Sequence, residues 1–64
     1  MRYRLVDADY NDREFADGEI FHSKQEIRGQ LISHYLPDFE DENELRRMTV
    51  DELLEIGNWR LEEV

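Results

Sequence analysis

The sequence predicts an α+β fold, a small three-stranded antiparallel sheet with helices packed on one face, in the order β-β-α-α-α-β. Three observations predict it. Apolar and polar residues alternate near both ends of the chain, around Tyr3–Leu5 and Trp59–Leu61, at the two-residue period of a half-buried strand. Between them Ile27, Leu31 and Tyr35 recur every fourth residue, the period of one helix face. Two segments, Ser23 to Glu26 and Thr49 to Glu52, have the spacing of a capping box. There a hydroxyl and a carboxylate each accept from a backbone N–H that the first helical turn leaves unsatisfied.

Taken in order, Arg2 to Val6 is the first expected strand, with Tyr3 and Leu5 on one face and Arg2, Arg4 and Val6 on the other. Asp7 to Gly18 is polar and rich in Asp and Asn, a loop with Tyr10 and Phe15 as anchors. Glu19 to His22 is the second strand, returning antiparallel to the first. The helix opened by Ser23 buries Ile27, Leu31, Ile32 and Tyr35 and ends at Pro37, because the residue before proline avoids the α region. Gly29 inside it costs up to about 1 kcal/mol relative to Ala, a cost that close packing against a neighbour would explain. A short helix, Glu42 to Arg47, turns Leu45 and Met48 inward. Thr49 opens a third helix with Val50, Leu53, Leu54 and Ile56 inward, and Gly57 is placed for a left-handed C-cap. Asn58 to Val64 is the last strand, Trp59 and Leu61 inward, Arg60 and Glu62 outward.

Sixty-four residues make one domain, 1–64, with apolar residues at 39%, enough for a single small core and not for a separate deep cleft. That disfavours an enzyme. With no Cys, neither a disulfide nor a thiolate metal site can reinforce the fold. Apolar runs of two or three residues span no membrane, and Met-Arg-Tyr-Arg lacks the apolar stretch of a signal peptide. A cytoplasmic protein without membrane contact is expected.

Asp7-Ala8-Asp9-Tyr10-Asn11 has oxygen ligands at positions one, three and five of a calcium loop. Position six demands Gly and holds Asp12; position twelve demands Glu and holds Gly18. A polar turn with Asp and Asn capping backbone groups explains the segment better. His22 and His34 are too few and too far apart for zinc, and His34 suits the negative end of the first helix dipole. Ser23 and Thr49 are caps and Ser33 a helix-surface residue, so no nucleophile sits in a catalytic frame. The three glycines are isolated, and no phosphate loop exists. No catalytic residue, metal or cofactor is expected.

Charge is the remaining signal. Residues 1–37 hold seven acids and five bases, net −2; residues 38–64 hold ten acids and three bases, net −7. Some of the acids have local uses. Asp51 and Glu52 suit the positive end of the third helix, and Glu42 can pair with Arg46 at i, i+4. Glu55 lies at the opposed end of that helix, four residues from Asp51. Asp38, Glu40, Asp41 and Glu44 outnumber Arg46 and Arg47. A domain of this length spans roughly 28 Å, along which one DNA strand carries about eight phosphates. The eight carboxylates 38, 40, 41, 42, 44, 51, 52 and 55 equal that charge. Such a field repels nucleic acid and attracts the basic surface of a nucleic-acid-binding protein. The expected contact set is Asp38, Phe39, Glu40, Asp41, Glu44, Asp51, Glu52 and Glu55, with Phe39 as an aromatic anchor at the rim. Acidity that merely confers solubility is the competing explanation.

The stretch Ser23-Lys24, Ile27-Arg28, Leu31-Ile32, then Met48, Glu52-Leu53-Leu54-Glu55, then Trp59, Leu61-Glu62, resembles small acidic proteins of bacteriophages and prophages of Gram-positive bacteria. The resemblance covers residues 20–64 and rests on core and cap positions. It implies an inhibitor of a host defence nuclease, of the anti-CRISPR kind, occupying a basic nucleic-acid channel such as that of Cas9. No functional residue is carried over from it. The alternative belongs to a different class: an assembly module that dimerises or docks through apolar surface or an open sheet edge, since a chain this small gains most from a partner that extends its core. The oligomeric state is not legible in the sequence.

Overall fold

The computed structural model describes residues 1–10 and 12–64. The fold is α+β. Strand β1 (Tyr3–Asp7) is followed by helices α1 (Lys24–Tyr35), α2 (Glu42–Arg46) and α3 (Val50–Ile56), and strand β2 (Trp59–Glu63) closes the chain. Short 3-10 turns occupy Phe15–Gly18 and Leu36–Asp38.

The sheet has two strands where three were expected. β1 and β2 pair antiparallel, Tyr3 opposite Glu63 and Leu5 opposite Leu61. The segment expected as a second strand, Glu19 to His22, contributes only an antiparallel bridge between Phe21 and Tyr3 on the other edge of β1. Its two backbone hydrogen bonds are each 2.7 Å long. A second bridge joins Val6 to Glu14. Local geometry explains the shortfall. Ala16, Asp17 and Gly18 all have φ between 52° and 83°, which coils the chain just before the expected strand. Ser23 begins the helix two residues after Phe21, so a single residue has room to pair.

The core lies between sheet and helices. Leu5, Phe21, Ile27, Leu31, Leu45 and Leu53 are fully buried there, joined by Phe15, Ile32, Tyr35 and Leu54. Val6 is buried as well, although it alternates to the opposite face from Leu5; the Glu14 bridge folds the chain back across it. Of the two expected loop anchors, Phe15 is inside and Tyr10 is exposed. Ile56, expected inward, is also exposed.

Each α-helix starts on a side-chain cap. Ser23 Oγ accepts from the Glu26 N–H at 3.1 Å, while the Glu26 carboxylate accepts from the N–H of His22, one residue earlier than a standard box. At α3 both bonds of the Thr49–Glu52 box form. Helix α1 ends at Tyr35, just before Pro37 as expected, although Leu36 keeps α-region dihedrals (φ −49°, ψ −44°). The chain tightens into the 3-10 turn Leu36–Asp38, whose first positions tolerate proline because no N–H is needed there.

Two glycines behave differently from expectation. Gly29 faces open space, so no close contact offsets its helix cost. Gly57 has φ −95°, outside the left-handed region; Asn58 adopts that conformation instead, at φ 57°. Gly is required at 57 for proximity: a Cβ there would lie 2.5 Å from the Tyr35 phenol oxygen and collide with the Trp59 indole.

Candidate acidic interface

The eight expected contact residues divide into three groups. Asp41 and Glu52 are engaged in helix starts. Asp41 Oδ1 accepts from the N–H groups of Asn43 and Glu44, at 2.9 and 3.4 Å, as the N-cap of α2. Glu52 Oε1 accepts from the Thr49 N–H at 2.9 Å and from its hydroxyl at 3.1 Å. These bonds, the backbone one foremost, hold the Glu52 carboxyl below the usual carboxylate range.

Phe39 forms the second group. Its ring is half-buried against the core, with its centroid 6.5 Å from that of Tyr35. A phenyl ring in a core-adjacent seat gains more from burial there than from waiting in water for a partner.

Asp38, Glu40, Glu44, Asp51 and Glu55 form the third group. All five are exposed, and among the described residues none forms an ion pair. Asp38 and Glu40 flank Phe39 on the α1–α2 connection. Asp51 and Glu55 stand one turn apart on the solvent side of α3, whose inner side buries Leu53 and Leu54. A like pair at i, i+4 is mildly destabilising, and Glu55 meets the negative end of the helix dipole. Neither repulsion is relieved locally.

The neighbouring cations do little to neutralise this group. Arg46 pairs with Glu42 at 3.2 Å, as the spacing predicts. Arg28 reaches across from α1 to the C-terminal end of α2, where its guanidinium donates to the carbonyls of Arg46 and Met48. Arg47 is exposed. The role of Arg28 escaped the sequence reading. The available signal was that α2 ends without Gly or Asn, leaving carbonyls that a cation can satisfy.

Tyr35 was also missed as more than a core residue. Its hydroxyl donates to the Leu53 carbonyl at 2.9 Å, tying α1 to α3 beside Gly57 and Trp59. Burial pushes the phenol up from its ordinary value, against hydrogen bonds from the Gly57 backbone and the Trp59 indole.

Some of the other acids serve the chain, whereas Asp12, Asp17, Glu19 and Glu63 are exposed. Asp7 Oδ1 accepts from the N–H groups of Asp9 and Tyr10, at 2.8 and 3.1 Å, and Asp9 accepts from the Asn58 amide at 2.7 Å. This is the polar turn expected for the segment. Asn11, its fifth calcium-loop position, lies outside the described residues. Arg4 joins Glu62 at 2.8 Å and Glu14 at 3.4 Å. His34 sits in the last turn of α1, edge-on to Phe15 at 5.1 Å, and His22 is exposed. Among the described residues there is neither a pocket nor a group of three potential metal ligands, and no helix is long and apolar enough to cross a membrane.

No protein-family model, curated protein or solved structure significantly matches the chain.

Proposed function

We propose that this protein is a non-enzymatic inhibitor that lays an acidic surface on the basic nucleic-acid groove of a partner enzyme. The observation that carries the reading is the set Asp38, Glu40, Glu44, Asp51 and Glu55. These carboxylates cap no helix and pair with no cation among the described residues, and two of them repel each other along α3. Glu55, four residues from Asp51 and at the negative end of α3, is held at a cost to the fold, which suits an external cation. The molecule measures 32 × 24 × 17 Å, so its long axis matches about nine phosphate steps of a single DNA strand. The resemblance to small acidic phage proteins favours a host defence nuclease in the bacterial cytoplasm as the partner, with a Cas9-type channel as one example.

The test is affinity capture from bacterial lysate in low and high salt, with mass spectrometry. Nucleic-acid-binding proteins should dominate the low-salt eluate and be lost as salt rises, because opposed charge governs their association. The variant Asp38→Lys, Glu40→Lys, Glu44→Lys, Glu55→Lys should capture none of them while keeping the wild-type circular dichroism. Asp41 and Glu52 are left unchanged because their loss would weaken α2 and α3 directly. Capture indifferent to salt, or undiminished by the four reversals, would refute the reading.

A further inference from the structure

Among the described residues the outer edge of β2 has backbone groups without a hydrogen-bond partner, and its side chains are complementary to a second copy of itself. In an antiparallel ladder, backbone groups point alternately toward and away from the neighbouring strand. The Val64 N–H donates to Arg2 and the Ala8 N–H to Asn58, so the even-numbered residues of β2 face β1. Tyr3 and Asp7, at odd positions on β1, correspondingly bond outward to Phe21 and Arg13. The N–H and C=O groups of Trp59, Leu61 and Glu63 therefore point away from β1. Among the described residues no hydrogen bond from another segment reaches them.

An open edge is ordinarily protected from other chains by charges. Here the charges alternate in sign. If two copies of β2 pair antiparallel about a two-fold axis at Leu61, each Leu61 faces its counterpart, and Arg60 of each copy stands opposite Glu62 of the other. Within the chain Glu62 already lies opposite Arg4, and its own Arg60 approaches it at 3.5 Å, a contact that pairing exchanges for the other copy's Arg60. The result is a row of Arg4, Glu62 and the second copy's Arg60 across one sheet face, repeated by symmetry. Opposite charges directly across a strand pair attract, and like charges repel. We infer that the occupant of this edge is a second copy of the chain, giving a continuous four-stranded sheet in the order β1-β2-β2-β1.

This inference goes beyond the proposed inhibitor role, and salt separates the two. At net −9 per chain, two copies repel at long range, so screening should strengthen self-association. Docking of the acidic surface on a basic groove should instead weaken with salt.

Sedimentation equilibrium of the full chain should show a monomer–dimer equilibrium that shifts toward dimer as salt rises. Amide exchange by NMR should slow with concentration at Trp59, Leu61 and Glu63, and stay constant at Arg60 and Glu62. Glu63→Pro removes an outward N–H from an exposed position and should weaken association about tenfold or more. Arg60→Glu and Glu62→Arg should each be monomeric alone and associate when mixed, because the mixture restores both cross-strand pairs. A chain that stays monomeric at about 1 mM, where even weak complexes populate, overturns the inference. So does a dimer without the odd-numbered protection, or one that Glu63→Pro leaves intact. A mixture that fails to associate, although the wild type dimerises, also overturns it.

Discussion

The connection between β1 and α1 runs through Ala16, Asp17 and Gly18 in the left-handed region, whereas every α-helix between Ser23 and Gly57 starts on a side chain that caps it. These two regions are stabilised by contacts of different range. A left-handed Ala or Asp costs roughly 1–2 kcal/mol, offset locally by little more than the 3.2 Å bond from the Glu19 N–H to the Ala16 carbonyl. What holds the connection is distant: Phe15 and Phe21 in the core, and the paired bonds between Phe21 and Tyr3. The helices need their core side too, but their N-terminal ends are capped within four residues of sequence. One region is therefore set by local chemistry and the other by what it packs against.

The sharpest way to break this contrast is Phe21→Ala. Truncating a fully buried Phe costs about 3–5 kcal/mol, which approaches the whole stability of a domain this size. Circular dichroism in urea should find the variant largely unfolded. If it melted like the wild type, the connection would be peripheral and the contrast mistaken. On the helical side, Gly57→Ala forces a methyl into Tyr35 and Trp59, and overpacking of this kind costs about 1–3 kcal/mol. Denaturant titration should register that loss, with a change in Trp59 fluorescence; an unchanged midpoint would mean that the α3–β2 junction yields easily.

Gly29→Ala should act in the opposite direction. Its site is helical and open, so the substitution should stabilise by up to about 1 kcal/mol, seen as a higher thermal midpoint. A fall would mean that something packs on that face in solution. The smallest effect concerns Glu52. Its carboxyl ionises more readily folded than unfolded, so its contribution is present above the ordinary carboxylate range and disappears as pH falls through the depressed folded value. Glu52→Gln keeps an acceptor but removes the titration. The stability difference between wild type and this variant should shrink as the pH is taken from neutral to well below 4.5, the ordinary value. A difference constant across that window would show that the capping bond does not distinguish the two protonation states.

How far the chain could be read follows from the range of each interaction. The Ser23 and Thr49 caps, the Glu42–Arg46 pair and the buried faces of α1 and α3 were legible because their partners lie within four residues. The same reasoning could not choose for Phe39, whose ring could face water or Tyr35 with equal local sense. It failed at Arg28, whose carbonyl partners are 18 and 20 residues away. Glu19 to His22 has the composition of a strand, yet the left-handed turn before it and the helix cap after it leave one paired residue. Among the acids, sequence could count the surplus and place Glu52 in the Thr49 capping box; only the fold separated Asp41, the N-cap of α2, from Asp38, Glu40, Glu44, Asp51 and Glu55.

The sequence by itself determined the α+β class, the helix starts and the negative charge of the second half, because periodicity, capping and composition act over a turn or less. Tertiary structure decided that the sheet has two strands, that glycine is needed at 57 for proximity, and that the backbone at Trp59, Leu61 and Glu63 points to an open edge. Those outcomes depend on which distant groups arrive beside each residue, and excluded volume and hydrogen-bond pairing settle them once the chain has closed on its core.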